Sequence, residues 1–322
     1  MRGSQTAVLA AALLACATGS VFACGGDDGA SSSSSSGSSS GDPPEDGGVS
    51  GGDAAVSSSG GPCTVANAGA APKGWLAKQK LVVAGVKDPG YANRTYNLLV
   101  PAGHDGSKTF PLVFELHGNG GDGAGMRKTL DLETASAGGA ILVYPDGFGG
   151  WDLESAPDKN DDIKFVRALI DTIGKTYCVD TSRVFATGYS NGGYFANQLA
   201  CKVGAAVFRG IASHAGGGPY GADAEYDDQG NLICAGKPVA ALISHGTSDG
   251  SVALSEGKSS RDEWKRVNGC KDATDPFDPS PCVAYQGCAA GRPVVYCEVP
   301  GLGHVPWPEG GAKATWSFLS KL

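Results

Sequence analysis

The pentapeptide Gly188-Tyr189-Ser190-Asn191-Gly192 decides the fold of this chain because of the residues on either side of it. Residues 183–187 precede it as a short β-prone run, and residues 193–200 follow it without proline and with good helix formers toward the end. Strand, sharp turn and helix around G-x-S-x-G are typical of a nucleophile elbow, which holds a strained serine at the edge of a sheet. The helix then points its N-terminus at developing negative charge. We therefore interpret Ser190 as a nucleophile, against the alternative of a chance match in a chain with 51 glycines.

The first 62 residues carry targeting and linker signals. Residues 1–23 form a short apolar stretch after one positive charge, which predicts a secretory signal peptide. Cys24 directly follows Val21-Phe22-Ala23, a pattern similar to the lipobox at which bacterial lipoproteins are lipidated. Cys16 in Leu13-Leu14-Ala15-Cys16 also fits, and plain secretion is a further alternative. Residues 24–62 are Ser- and Gly-rich and predict a disordered linker, because they cannot bury enough apolar surface to offset their ordering entropy.

Residues 63–322 remain as one catalytic domain of a size that can bury a substantial core. The net charge of −8 and the absence of a basic stripe argue against nucleic acid as a partner. Of ten cysteines, eight remain when Cys16 and Cys24 are set aside, and an even number in an exported chain predicts disulfides. The spacing lacks C-x₂-C pairs and so argues against structural zinc. We expect a monomer without metal or cofactor that meets a membrane only through a lipid anchor.

Strand-like runs alternate with helical segments along this domain. Residues 162–177 place five apolar side chains on one helical face, and Asp161 is a plausible N-cap for that helix. Such alternation predicts an α/β fold with a mostly parallel, eight-stranded, doubly wound sheet and helices on both faces. The eight predicted strands cover residues 80–84, 95–100, 111–116, 140–144, 183–189, 208–213, 239–244 and 294–299.

An acid and a base follow the later strands. The elbow comes after the fifth predicted strand, Asp249 after the seventh, and His304 after the eighth. This order of Ser, acid and His resembles the α/β-hydrolase fold. A serine hydroxyl needs a base poised near neutral pH, and that imidazole needs a carboxylate to fix its tautomer. We therefore predict that Ser190, His304 and Asp249 form a catalytic triad.

The chain has five histidines, and their positions relative to the predicted strands distinguish the candidate base from the other four. His214 follows the sixth strand and is the only serious alternative base. His104 lies in a loop that we expect to be exposed. His117 and His245 adjoin glycines at strand ends and are interpreted as turn residues.

Two backbone N–H groups are expected to hold the oxyanion. One is that of Asn191, which directly follows the nucleophile. The other comes from the glycine-rich loop His117-Gly118-Asn119-Gly120-Gly121, where we favour Asn119 and keep Gly118 as the alternative. The absence of a following G-K-[ST] argues against a phosphate-binding loop.

Residues 177–193 resemble secreted feruloyl esterases and polyhydroxybutyrate depolymerases, which share the carbohydrate esterase family 1 type of α/β-hydrolase domain. The segments 162–171, 245–249, 268–270, 285–288 and 303–308 match the same family, although Gly250-Ser251 replaces the apolar pair often found after the acid. The resemblance implies a Cys270–Cys288 disulfide, which would leave Cys282–Cys297 as an additional one.

The resemblance also implies a secreted or surface-anchored serine carboxylic ester hydrolase. Its expected substrates are feruloyl or acetyl esters of plant polysaccharide. Polyhydroxybutyrate depolymerisation is the first alternative, and a non-catalytic glycan-binding lipoprotein is the second.

Only a short stretch, residues 215–238, separates the sixth and seventh predicted strands. A large lid in α/β-hydrolases is usually inserted there, so we expect none, and an open cleft suits esters carried by a polymer. Trp151 and Trp307 are predicted to bind substrate, and Tyr220 and Tyr226 are further candidates for the cleft wall. Ordinary packing is the alternative for each of these aromatic residues.

Overall fold

The computed structural model describes residues 61–221, 225–234 and 238–322. The predicted signal peptide, Cys16, Cys24 and all but the last two residues of the predicted linker lie outside the described residues. Gly61 accepts a hydrogen bond of 2.9 Å from the Thr109 backbone N–H, and Pro62 forms an isolated antiparallel bridge with Lys108. In the described ranges, no helix combines the length and the hydropathy needed to cross a membrane.

One sheet dominates the described part of the chain. Its central strands are apolar on both faces, as expected where helices cover both sides. The strands are β1 (Gly74–Val82), β2 (Asn93–Val100), β3 (Phe110–Leu116), β4 (Ile141–Pro145), β5 (Val179–Tyr189), β6 (Gly210–His214), β7 (Ala240–Gly246), β8 (Thr274–Pro276), β9 (Cys282–Tyr285) and β10 (Val294–Val299).

The strand order is β1-β2-β4-β3-β5-β6-β7-β10-β9-β8. The six central strands are parallel to one another: β4, β3, β5, β6, β7 and β10. The outer strands β1 and β2 on one side, and β9 and β8 on the other, are joined by antiparallel pairing. The carboxyl ends of β3, β5, β6, β7 and β10 therefore meet at one edge of the sheet, which is where open α/β sheets bind ligands.

Helices cover both faces of the sheet, as the alternating pattern predicts. One core contains Ile163, Phe195 and Trp264 from three helices, and the other contains Met126 and Phe318 from helices on the opposite face. The helices are α1 (Pro89–Ala92), α2 (Gly123–Leu130), α3 (Leu132–Ser136), α4 (Asp161–Thr176), α5 (Asn191–Lys202), α6 (Leu254–Asn268) and α7 (Gly311–Leu319).

The α/β-hydrolase fold class is confirmed, and the structure corrects it in detail. Eight predicted strands correspond to β1–β7 and β10, but β8 and β9 extend the sheet to ten strands. The sequence does not reveal β8 because its three residues are all exposed and carry no apolar alternation. The prediction of Asp161 as N-cap of α4 is wrong by one residue, since Asn160 accepts the backbone N–H of Ile163 at 2.9 Å.

Four disulfides tie peripheral segments to this frame. The two bridges implied by the family resemblance, Cys270–Cys288 and Cys282–Cys297, are both formed in the structure. Cys63–Cys178 fixes the start of the described domain, and Cys201–Cys234 ties the segment between β6 and β7 to α5. Such bridges persist in oxidising compartments, which indicates an exported protein.

A carboxyl group lies in the core of the sheet. Glu115 on β3 is fully buried, and neither of its carboxyl oxygens has a well-formed hydrogen bond among the described residues. Burial raises the pKa of Glu115 to about 8, and the nearby Tyr144 hydroxyl offsets this only partly. Glu115 is therefore protonated in the folded protein at neutral pH.

We expect Glu115→Gln to remove a pH dependence of stability. The pKa of Glu115 is raised on folding. The folded state therefore gains its full stabilisation from the protonated carboxyl below about pH 4, and this stabilisation is lost as pH rises toward about 8. The free energy of unfolding of the parent protein should fall relative to the variant by a few kcal/mol across that range. Urea unfolding at several pH values measures this difference. Exposed Glu309→Gln is the control, and parallel curves for parent protein and Glu115→Gln would contradict the assignment.

Candidate active site

Ser190 forms the tip of the turn between β5 and α5. Its backbone has φ 55° and ψ −122°, a strained conformation for a residue with a side chain. Its N–H donates to the His214 carbonyl at 2.9 Å, and its carbonyl accepts from the Tyr194 N–H at 3.0 Å. The turn thus holds the hydroxyl at the carboxyl edge of the sheet.

Close backbone approach explains the two outer glycines of the pentapeptide. A Cβ atom on Gly188 would collide with the Gly192 carbonyl, and one on Gly192 would collide with the Leu116 carbonyl at the end of β3. The elbow is therefore packed directly against the neighbouring strand, and only glycine fits at both positions.

The structure brings the three predicted triad residues together. Ser190 Oγ lies 2.9 Å from His304 Nε2, and His304 Nδ1 lies 2.8 Å from Asp249 Oδ2. The Asp249 side chain is fully buried, whereas that of His304 is 21% exposed. Because Asp249 accepts, the network assigns the proton to Nδ1 and leaves Nε2 to accept from the serine hydroxyl.

Asp249 is held in its ionised form. The backbone N–H groups of Ser251 and Val252 each donate to Asp249 Oδ1 at 2.9 Å. Burial acts to raise the pKa of Asp249, but the hydrogen bonds from His304 and these two N–H groups outweigh it and lower the pKa. Ser251 and Val252 thus support the predicted acid through their backbone N–H groups.

His245 also contacts the acid, which sequence reasoning missed when it interpreted this residue as a turn former. Its Nε2 lies 3.0 Å from the Val252 carbonyl and 3.4 Å from Asp249 Oδ2. No spacing rule predicts this contact, because the loop after β7 must fold back over its own strand.

The loops carrying acid and base are braced against each other. Thr247 Oγ1 accepts from the Gly301 N–H at 2.8 Å, and the Ser248 N–H donates to the Leu302 carbonyl at 3.0 Å. The Tyr189 hydroxyl donates to the His304 carbonyl at 2.6 Å. Tyr189 occupies the first of the two variable positions of the pentapeptide, and the motif alone gave no sign of this role.

His214, the alternative base, lies away from the serine. It is buried, its Nε2 lies 2.9 Å from Thr315 Oγ1 on α7, and burial lowers its pKa to about 4. The expectation that His104 is exposed is wrong, since it is buried and accepts from the Cys178 N–H at 3.0 Å. Both rings have structural partners instead of facing the cleft.

The predicted oxyanion loop passes beside the elbow. A Cβ atom on Gly118 would lie 3.2 Å from Ser190 Cβ. In that loop the Gly120 N–H donates to the Gly149 carbonyl and the Gly121 N–H to the Gly118 carbonyl, at 2.8 and 3.1 Å. Among the described residues, no protein group accepts from the backbone N–H of Asn119 or Asn191. Both donors are thus available to a ligand.

Trp151 lies in the wall of a cavity at this edge, but its side chain is largely packed against other residues. It is 5% exposed, stacks on Phe195 with ring centroids 5.1 Å apart, and donates from Nε1 to the His117 carbonyl at 2.8 Å. Its backbone N–H donates to Asn191 Oδ1 at 2.6 Å. Trp151 thus combines packing in the core with a hydrogen bond to the first residue of the predicted oxyanion loop.

The other predicted aromatic residues lie around the same edge. Trp307, three residues after His304, is half-buried and packs against Gly310. Tyr220 donates from its hydroxyl to Glu256. Tyr226 lies in an isolated bridge with Leu232. Within the described residues, no group of three or more His, Cys, Asp or Glu side chains could hold a metal ion.

Comparison with known proteins identifies relatives of this chain. Feruloyl esterase D of Neurospora crassa is 31% identical over 260 residues, which are 71% of this chain and 82% of that protein. Feruloyl esterase C of Emericella nidulans is 32% identical over 244 residues, or 70% and 83% of the two chains. This chain belongs to the feruloyl esterase family.

Structural alignment with solved structures supports the assignment of the fold. An acetyl xylan esterase from Aspergillus awamori aligns over 76% of this chain and 100% of its own, with a TM-score of 0.58 and 19% identity. A ferulic acid esterase of carbohydrate esterase family 1 from Anaeromyces mucronatus covers 76% and 88%, with a TM-score of 0.51 and 17% identity. No protein-family model matches the chain. The protein is a carboxylic ester hydrolase with an α/β-hydrolase fold.

We expect Gly118→Ala to impair hydrolysis while leaving the protein folded. The added methyl would lie 3.1 Å from the Tyr189 ring and 3.2 Å from Ser190 Cβ, so the loop or the elbow must shift. A small displacement of a reacting group lowers kcat by roughly tenfold to a hundredfold. The rate with p-nitrophenyl acetate measures this loss. Gly303→Ala, beside His304 but with open space around its Cβ position, is the matched control and should retain activity.

Proposed function

We propose that this protein hydrolyses feruloyl or acetyl esters carried by plant polysaccharide. Ser190 is the nucleophile, His304 the general base and acid, and Asp249 the residue that orients and stabilises the imidazole. The observation that carries the proposal is the unbroken hydrogen-bonded series from Asp249 through His304 to Ser190, in a member of the feruloyl esterase family. The polymer itself is inferred from the names of the relatives and structural neighbours.

Acylation begins when Ser190 Oγ attacks the ester carbonyl carbon. His304 Nε2, 2.9 Å away, takes the hydroxyl proton, and Asp249 stabilises the imidazolium that results. The carbonyl oxygen becomes negative as the tetrahedral intermediate forms. Collapse of that intermediate breaks the bond to the sugar oxygen, and His304 returns its proton to the leaving alcohol.

The developing oxyanion is held by the backbone N–H groups of Asn119 and Asn191. Neither donor is used by another protein group among the described residues, and Asn191 is the first residue of α5. The dipole of that helix adds positive potential at the same point. Donors that are already oriented cost little reorganisation when charge appears.

Deacylation repeats the sequence with water as nucleophile. His304 removes a proton from water, which attacks the acyl-enzyme carbonyl, and the protonated His304 then donates to Ser190 Oγ as the ester bond breaks. The 21% exposure of the His304 side chain gives water access to this base. Ferulate or acetate is released and the enzyme is restored.

Export places the enzyme with its polymer substrate. Four disulfides agree with an oxidising location. Lipidation at Cys24 after removal of residues 1–23, with residues 24–62 as a tether, is part of the proposal and rests on the lipobox-like pattern alone. The fungal relatives lend this anchor no support. A monomer is proposed as the working form.

Substitution of the two histidines tests the assigned base. His304→Ala should lower kcat by several orders of magnitude, because losing a triad member removes general acid–base catalysis. His214→Ala should retain the kcat of the parent protein, since its ring contacts Thr315 in the core. Labelling of Ser190 by a fluorophosphonate should be lost only in the first variant. The opposite pattern would reject His304 as the base.

A substrate panel tests the acyl group and the polymer. The purified protein should release acid from methyl ferulate or from acetylated xylan, because those esters match the family and its structural neighbours. Release is measured by chromatography, with Ser190→Ala as the control for non-enzymatic hydrolysis. Hydrolysis of hydroxybutyrate oligomers alone would overturn the proposal in favour of polyester depolymerisation.

A further inference from the structure

A cavity outside the triad lies next to the predicted oxyanion loop. Its volume is about 540 Å³, and Asn119 of the oxyanion loop forms part of its wall. Gly150 and Trp151 in the same wall approach Asn191, whose Oδ1 accepts from the Trp151 N–H at 2.6 Å. The cavity therefore joins the reaction centre through both proposed oxyanion residues. Its other lining side chains include Tyr91, Phe148, Asp152, Ser155 and Lys159.

Two aromatic rings stand exposed at this cavity. Tyr91 on α1 is 40% exposed and Phe148 in the loop after β4 is 49% exposed. Their ring centroids are 4.6 Å apart, with an angle of 43° between the planes. Leaving a large phenyl ring in water forgoes the favourable burial that most such rings obtain, so a persistent exposed pair indicates a binding surface.

Phe148 is packed on one side against a buried cation. The Arg94 guanidinium lies between the rings of Phe148 and Phe165, 5.0 and 4.2 Å from their centroids. Arg94 is itself buried and paired with Asp162 at 2.8 Å. The contact with this buried, ion-paired guanidinium favours one orientation of the Phe148 ring before a ligand binds.

The loop that carries Phe148 is also tied to the oxyanion loop. The Gly147 N–H donates to His117 Nε2 at 2.8 Å, and the Gly149 carbonyl accepts from the Gly120 N–H at 2.8 Å. His117 Nδ1 in turn lies 2.8 Å from the Gly118 carbonyl. A molecule bound against Phe148 is consequently positioned relative to the donors that would receive the oxyanion.

We propose that the Tyr91–Phe148 pair and this cavity form a subsite for a neutral sugar ring of the polysaccharide that bears the scissile ester. The inference rests on the proposed function and adds the part of the substrate that is recognised. The C–H face of a pyranose or furanose ring is apolar and buries against an aromatic face, while its hydroxyls hydrogen-bond to polar walls.

The charge of the cavity favours a neutral glycan. Asp162 is neutralised by Arg94, which leaves the carboxylates of Asp152 and Asp161 beside the ammonium of Lys159. Asp161 also pairs with Lys164 at 2.8 Å, so no excess of positive charge is available to attract an acidic sugar. The carboxylate of a uronic acid would therefore find no excess of positive charge in the cavity to compensate the loss of its hydration.

Substrate-dependent kinetics test the subsite. Phe148→Ala and Tyr91→Ala should each lower kcat/KM for a feruloylated xylo-oligosaccharide by roughly threefold to tenfold, the loss expected for one aromatic contact. Both variants should keep the parent kcat/KM for methyl ferulate, which has no sugar. Phe148→Tyr retains the ring and should restore the parent value. Ile233→Ala, at a residue 57% exposed on the segment between β6 and β7, is the control.

A binding measurement on an inactive variant tests the subsite independently of catalysis. Ser190→Ala protein should bind unsubstituted xylo-oligosaccharide in calorimetry, and adding Phe148→Ala should weaken that binding by a similar factor. Oligogalacturonate should not bind.

The two proposals fail in different ways. The glycan subsite is overturned if the variants lower kcat/KM equally for methyl ferulate and the feruloylated oligosaccharide, or lower it for neither substrate. The esterase assignment stands in both cases. If the parent protein hydrolyses neither feruloyl nor acetyl esters, the proposed function fails first and the subsite fails with it.

Discussion

The rest of the site depends on one close contact, the packing of the Ser190 turn against the end of β3. Gly192 lies so near the Leu116 carbonyl that no side chain fits between them. The turn is therefore packed tightly against the sheet, and Ser190 adopts a strained backbone conformation within it. It also brings the start of α5, whose first residue is Asn191, close to the loop that begins at His117. A looser turn would release the strain and lose the alignment of hydroxyl, helix and oxyanion donors.

Loops from five parallel strands converge on that turn, and hydrogen bonds between loops make them rigid. The acid loop is bound to the base loop through Thr247 and Ser248, and Tyr189 holds the backbone of His304. On the other side His117 links the oxyanion loop to the loop that carries Phe148. The proposed catalytic groups are therefore positioned by a network around the edge of the sheet, although each of them stands on a loop.

The prediction from sequence succeeded where topology restricts position. Parallel strands bring their carboxyl ends to one edge, so a serine after β5, an acid after β7 and a histidine after β10 must meet there. It failed where long-range packing decides exposure. His104 carries no local signal of its buried partner Cys178, which lies far along the chain. The short strand β8 has no apolar pattern that could reveal it.

The sequence by itself indicated eight of the ten strands in their order along the chain, the glycines that a tight elbow requires, and the candidate residues Ser190, Asp249 and His304. These follow from local periodicity and from rules of connection that hold for any parallel sheet. Only the tertiary structure decided which side chains surround them. The contact of His245 with Asp249, the hydroxyl of Tyr189 on His304, and the pairing of Tyr91 with Phe148 arise where separate loops meet. Such contacts depend on side-chain packing across the sheet edge, for which spacing along the chain carries no information.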